Sequence, residues 1–193
     1  MNVMIARLPC GIFYAALLML LVSGAPVGRA QDNAPPRTTW SAARFAPVAQ
    51  RVRAAAAATL LEGLPHQLVE HGLYLQELRT RKTVEIAGYA FYQRPLPLAD
   101  ADREALRGIL SDPGAFHPYT GPKRCGGFHP DYALVWGRGR QAERVLICFG
   151  CHEILTTGNE HDLIADLPAP TYARLRTILS KYHAQRPPFT RGG

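Results

Sequence analysis

Cys148, Phe149, Gly150, Cys151 and His152 spell C-x-x-C-H, two thiols and an imidazole at a spacing that can clasp a metal, carry a covalently attached haem or cycle a disulfide. A second segment, Lys123-Arg124-Cys125-Gly126-Gly127-Phe128-His129-Pro130-Asp131, adds a third thiol, a second imidazole and a carboxylate. The candidate metal set is therefore Cys125, His129, Asp131, Cys148, Cys151 and His152. Three cysteines with His129 or His152 make a Cys3His set suited to tetrahedral zinc or, with softer preference, to cuprous copper. One C-x-x-C paired with a single distant C-x-x-x-H is less specific than two C-x-x-C knuckles. A disulfide from Cys125 to Cys148 or to Cys151 uses the same geometry without a metal, and leaves His129 and His152 as hydrogen-bonded histidines at a turn.

The alternative is haem c, with Cys148 and Cys151 as attachment points and His152 as the axial ligand. Its surroundings fit less well. Met1, Met4 and Met19 all lie in the leader, so the second ligand would have to be a histidine such as His161 or His183. The motif also follows the β-rich run Val145-Leu146-Ile147, whereas small cytochromes of this kind wrap haem in helices. A thioredoxin-like oxidoreductase places C-x-x-C at the start of a long helix; here Gly158 interrupts any such helix and too little chain follows to complete that fold. G-x-S-x-G, G-x-x-x-x-G-K and H-E-x-x-H are all absent, although His152-Glu153 begins like the last.

The compartment follows from the first thirty residues. Arg7 precedes an eleven-residue apolar run, Ile12 to Val22, and Gly28-Arg29-Ala30 offers small residues where a signal peptidase reads them. A run of that length is shorter than the roughly 20 apolar residues of a spanning helix. The expectation is a cleaved signal peptide over residues 1–30, a periplasmic or secreted product, and no transmembrane segment in the mature chain. Cys10 then leaves with the leader, and Cys125, Cys148 and Cys151 form an odd set in an oxidising compartment. Loss of Arg7 and Arg29, with no acid, takes the formal charge from +7 to +5. The arginines are scattered, without the basic stripe and interleaved aromatics that a nucleic-acid partner requires, so none is expected.

Positioning these residues falls to a short series of elements. Residues 31–42 carry Pro35 and Pro36 and read as a flexible lead-in, residues 43–187 as one domain, and 188–193 as a tail. Pro47 to Leu61 reads as a helix with Val48, Val52, Ala55, Ala56 and Thr59 on one stripe, stopped by Gly63 and Pro65. Leu73 to Arg81 reads as helical, and Thr83 to Tyr92 alternates as one strand. Asp100 is placed to cap a helix burying Ala105, Leu106, Ile109 and Leu110. Tyr132 to Trp136 and Arg144 to Phe149 make an antiparallel hairpin. A register that sets Val135 against Val145 pairs Ala133 with Ile147 and brings His129 opposite Cys151. Asp162 to Leu167 reads as an edge strand, and a last helix after Pro170 presents Tyr172, Leu175, Ile178, Leu179 and Tyr182.

Gly63-Leu64-Pro65-His66, Phe91-Tyr92, Phe116-His117-Pro118-Tyr119 and the two cysteine segments together resemble a group of bacterial exported proteins and lipoproteins of unknown function. These carry a similar C-G-G-F-H-P-D followed by C-F-G-C-H-E. The likeness runs over most of Leu60 to Pro188 and is specific in the two cysteine segments; it implies a shared fold and no activity. This chain lacks the lipidated cysteine of the lipoprotein versions.

The sequence thus predicts an α+β fold, a small antiparallel sheet centred on the hairpin at about 132–149 with helices mainly on one face. Its expected role is non-catalytic, with a Cys/His cluster that is metal-bound or disulfide-locked.

Overall fold

The computed structural model describes residues 37–158 and 162–188. The leader, the lead-in through Pro36, His161 and the residues from Phe189 onward lie outside them. Along the chain the elements are β1 (Thr38–Thr39), α1 (Ala42–Ala54), β2 (Ala58–Glu62), α2 (His71–Thr80), β3 (Thr83–Ile86), β4 (Tyr89–Tyr92) and α3 (Asp100–Leu110). They continue with β5 (His117–Pro118), β6 (Tyr132–Trp136), β7 (Glu143–Cys148), β8 (Glu153–Thr157), β9 (Leu163–Asp166) and α4 (Ala169–Leu179). The main sheet runs β1-β9-β8-β7-β6-β2, with β5 also on β9, and β3 and β4 pair separately. All pairings are antiparallel except β1 with β9. The α+β class read from the sequence is the class observed.

Alternation divides the sheet into two apolar faces. Leu60, Tyr132, Leu134, Trp136, Val145, Ile147 and Ile154 meet α1, α3 and α4 through Phe45, Val52, Leu106, Leu110, Leu175 and Leu179. Leu61, Ala133, Leu146, Cys148, Leu155 and Ile164 face the other way, under Ile86 and Phe91 of the β3–β4 hairpin and under Phe128. The three helices therefore share one face, and the cysteines belong to the opposite one.

Several expectations about the elements are corrected. The alanine run does not extend the first helix. Ser41 Oγ accepts the Arg44 N–H at 3.4 Å, so α1 starts before Pro47, and it ends at Ala54. Ala58–Glu62 instead pairs with β6, because a strand buries Leu60 and Leu61 on opposite faces. Burying such side chains is worth about 1.5–3 kcal/mol each, well above the helix preference of an alanine. Thr83 to Tyr92 is not one strand but a two-residue hairpin. Ala87 at φ 52° and Gly88 at φ 80° supply the left-handed pair that such a tight turn needs. Helix α3 is capped by Ala99 rather than Asp100, and Ala105 faces solvent.

The remaining corrections bear on the site. Tyr132 pairs with Ile147, Ala133 with Leu146 and Val135 with Arg144, one residue away from the register read from the sequence. This choice puts Tyr132, Leu134, Val145 and Ile147 together on the helical face, whereas the other register would have mixed the two faces. Glu153–Thr157, unassigned in the sequence, is the strand β8 that follows the C-x-x-C turn and pairs along β7. Strand β9 is interior rather than an edge, flanked by β8 on one side and by β1 and β5 on the other.

Candidate functional site

The C-x-x-C-H motif forms the turn between β7 and β8. Asp131 sits across from Cys148 just before β6 and holds this turn in shape. Its N–H donates to the Ile147 carbonyl at 2.8 Å, and its Oδ2 accepts the Phe149 N–H at 2.7 Å. His152 closes the turn at φ 55°, and its carbonyl accepts the Leu167 N–H at 2.8 Å. A left-handed non-glycine residue at this point turns the imidazole away from the thiols. The ring stacks on Tyr172 of α4, with centroids 4.0 Å apart.

Cys151 is joined to Cys125 by a disulfide, with Cα atoms 5.6 Å apart. The bond pins the loop before β6 against the β7–β8 turn. Gly126 and Gly127, at φ 85° and 93°, let that loop fold back tightly. Phe128 then drops onto the second apolar face, where its ring meets Tyr89 edge-on at 5.4 Å. Cys148 is the free cysteine and is 1% exposed. Its sulfur receives the Cys151 N–H at 3.3 Å, and burial pushes its thiol up to about 11.

Cys125, His129, Asp131, Cys148 and Cys151 all line one cavity of 280 Å³, and His152 does not. His129 donates from Nε2 to the Leu64 carbonyl at 2.9 Å and stacks on His66 at 4.6 Å. Burial, reinforced by the Arg186 charge, lowers its pKa to about 4, so the ring is neutral at physiological pH. His66 Nδ1 accepts the backbone N–H groups of Leu68 and Val69, at 3.2 and 3.3 Å. Each ring is thus held by a backbone group at one nitrogen. His66 belongs to the wall of this cavity as well.

Three charged residues complete the surroundings: Glu153, which the sequence sets directly after the C-x-x-C-H motif, and Arg186 and Glu70, which sequence reasoning passed over. Arg186, just before Pro187 and Pro188, donates to Asp131 Oδ1 at 3.0 Å and to Glu70 Oε2 at 2.9 Å. Burial alone would raise the Glu70 carboxyl, but the His66 N–H and the Arg186 guanidinium hold it below the usual carboxylate range. Glu153 lies opposite Cys148 on one side and Asp166 on the other, all on the same face of the sheet. It is 3% exposed, and burial raises its carboxyl to about 7. The sequence signal for Glu153 was its place directly after C-x-x-C-H; Arg186 gave none, because its partners come from distant segments.

Chemically, the arrangement is a locked one. The disulfide withdraws two of the three sulfurs from any thiolate set, and among the described residues no group of three or more His, Cys, Asp or Glu side chains is arranged to hold a metal ion. The three chemical groups of the haem-type motif diverge: Cys151 bonds to Cys125, Cys148 is buried under Phe128, and His152 packs on Tyr172. His183 is engaged elsewhere, with Nδ1 2.6 Å from Glu62 Oε1. No helix among the described residues is long and apolar enough to cross a membrane. No protein-family model, curated protein or solved structure matches the chain.

Proposed function

We propose that this is an exported, non-catalytic protein in which the Cys125–Cys151 disulfide locks the Cys125 loop onto the β7–β8 turn, so that the Cys/His cluster serves the structure rather than metal or redox chemistry. The observation that carries the reading is the state of the three sulfurs. Two are bonded to each other, and the third is a thiol at the bottom of the sheet face with its pKa pushed up to about 11. Exchange needs an accessible thiolate, and a buried thiol of raised pKa supplies very little at neutral pH. The apolar run and small-residue site of the leader support the oxidising compartment in which such a bond persists.

The test is the intact mass of the protein recovered from the periplasm of a secreting bacterial host, with and without alkylation. The expected product begins at Gln31 and is lighter than the all-thiol chain by the two hydrogens of one disulfide. It takes up one alkyl group after unfolding without reductant, and that group is on Cys148. Three alkylated cysteines without reductant, or a retained metal ion, would replace the locked reading with a thiolate site. An added haem mass would replace it with a cytochrome.

A further inference from the structure

Arg186, Asp131 and Gly150 also form part of a second cleft, of 470 Å³, which Phe149 and Gly150 of the cysteine motif help to line but no cysteine does. Its size lies in the range of small-molecule sites, which combine apolar walls with a few convergent polar groups. The walls are aromatic: Phe149 meets Tyr132 edge-on at 6.2 Å and Tyr172 at 5.6 Å. The polar groups are of two kinds. Glu62 is 1% exposed, at the end of β2, and its carboxylate accepts the Gln185 N–H at 2.6 Å and the Ala184 N–H at 3.2 Å. Its other oxygen lies 2.6 Å from His183 Nδ1, which orients the imidazole ring. The His183 side chain is 48% exposed and lines the cleft, so Nε2 remains available to hydrogen-bond a ligand.

The second group is Arg176. Its NH1 donates to the Tyr172 hydroxyl at 2.8 Å, and its guanidinium lies 5.9 Å from that ring's centre. Among the described residues it pairs with no carboxylate, whereas Arg186 is taken up by Glu70 and Asp131. The cleft therefore offers one guanidinium free for an anion, one oriented imidazole with Nε2 available, and aromatic surface.

We infer that this cleft binds a hydroxylated aromatic carboxylate, with its ring against Phe149 and Tyr172, its carboxylate on Arg176 and its hydroxyl hydrogen-bonded to His183 Nε2. The inference goes beyond the locked reading above and names a ligand class. A guanidinium recognises a carboxylate through paired N–H donors, and a free imidazole nitrogen selects a hydroxyl, which can donate or accept, over a plain ring edge.

The test is titration of the oxidised full chain with 4-hydroxybenzoate, benzoate and phenol, followed by calorimetry or ligand-observed NMR. The expected result is saturable binding, tightest for 4-hydroxybenzoate. Arg176→Gln should weaken 4-hydroxybenzoate and benzoate about tenfold, the scale of one charged hydrogen bond, and leave phenol unchanged. His183→Gln should weaken 4-hydroxybenzoate and phenol but not benzoate. Arg176 is an exposed residue on α4, so its variant keeps the fold, which the melting curve checks. Absence of saturable 4-hydroxybenzoate binding up to millimolar concentration would overturn the inference, as would binding that is indifferent to Arg176→Gln. A correct disulfide mass with no binding sinks the ligand assignment alone, whereas a wrong mass sinks the locked reading independently.

Discussion

Each of the three cysteines has its own physical situation, and substitution separates them. The Cys125–Cys151 bond closes a loop with a sequence separation of 26, for which chain entropy alone gives about 3.5 kcal/mol. Cys125→Ser and Cys151→Ser should therefore lower the melting temperature by similar amounts, and reductant should lower neither variant further. Cys148→Ser exchanges a buried thiol for a hydroxyl and should cost roughly 1–3 kcal/mol while remaining sensitive to reductant. Thermal melts of the three proteins with and without reductant check this, and a reductant-sensitive Cys125→Ser protein would contradict it. Two neighbouring groups set the response to pH. His129, lowered to about 4 from an ordinary 6.5, contributes stability that is complete above pH 6.5 and lost as pH falls toward 4. Glu153, raised to about 7 from 4.5, acts in the opposite sense: the folded state holds its proton more tightly, so stability falls as pH rises from 4.5 to 7. Between pH 4.5 and 6.5 the two effects oppose each other. Glu153→Gln should expose the His129 dependence, so that the variant loses stability on acidification more steeply than the parent. Parallel denaturant midpoints across that range would refute this assignment.

At the scale of elements, two turns decide how the second face is covered. The β3–β4 hairpin carries Ala87 in the left-handed region, where a Cβ is disfavoured by roughly 1–2 kcal/mol. Ala87→Gly relieves that strain against the added chain entropy of glycine, and should raise the denaturant midpoint by an amount equivalent to about 0.5–1 kcal/mol. A lower midpoint would mean that the turn is held by something other than its backbone geometry. At the end of β2 the opposite holds. A Cβ on Gly63 would lie 2.1 Å from the Pro130 carbonyl oxygen, so Gly63→Ala must push apart the two segments that frame the cysteine cavity. A loss of about 3 kcal/mol or more is expected by chemical denaturation. The hairpin was hidden in the sequence because Ala87-Gly88 interrupts an alternation that otherwise reads through. The strand β8 was hidden because it is buried throughout, with Ile154 on one face and Leu155 on the other, so its short run shows no alternation of apolar and polar residues.

For the molecule as a whole, the closing segment after α4 ties together parts that the sheet alone leaves apart. Arg186 joins Asp131 before β6 to Glu70 before α2, and Glu62 on β2 receives the backbone of Ala184 and Gln185. Removing the guanidinium leaves two carboxylates facing each other across a mostly buried gap. Arg186→Ala should cost roughly 3 kcal/mol, and the double variant Arg186→Ala with Glu70→Gln should recover part of it. Equilibrium unfolding of the single and double variants measures the coupling, and strict additivity would show that the pair is not linked through Arg186.

By itself the sequence determined the α+β class, the hairpin of Tyr132–Trp136 with the strand through Cys148, the helix that carries Tyr172 and Leu175, and the set of residues able to do chemistry. Those features follow from local periodicity and residue type, which act over a few residues. Tertiary structure alone decided which sulfurs pair, because Cys125 could reach either partner and only the loop's return over Phe128 selects Cys151. It also decided the register, since a one-residue slip is invisible until helices cover one face and the β3–β4 hairpin the other. The Asp131–Arg186–Glu70 and Glu62–His183 contacts belong to the same category: their members are tens of residues apart or more, and no local pattern marks them.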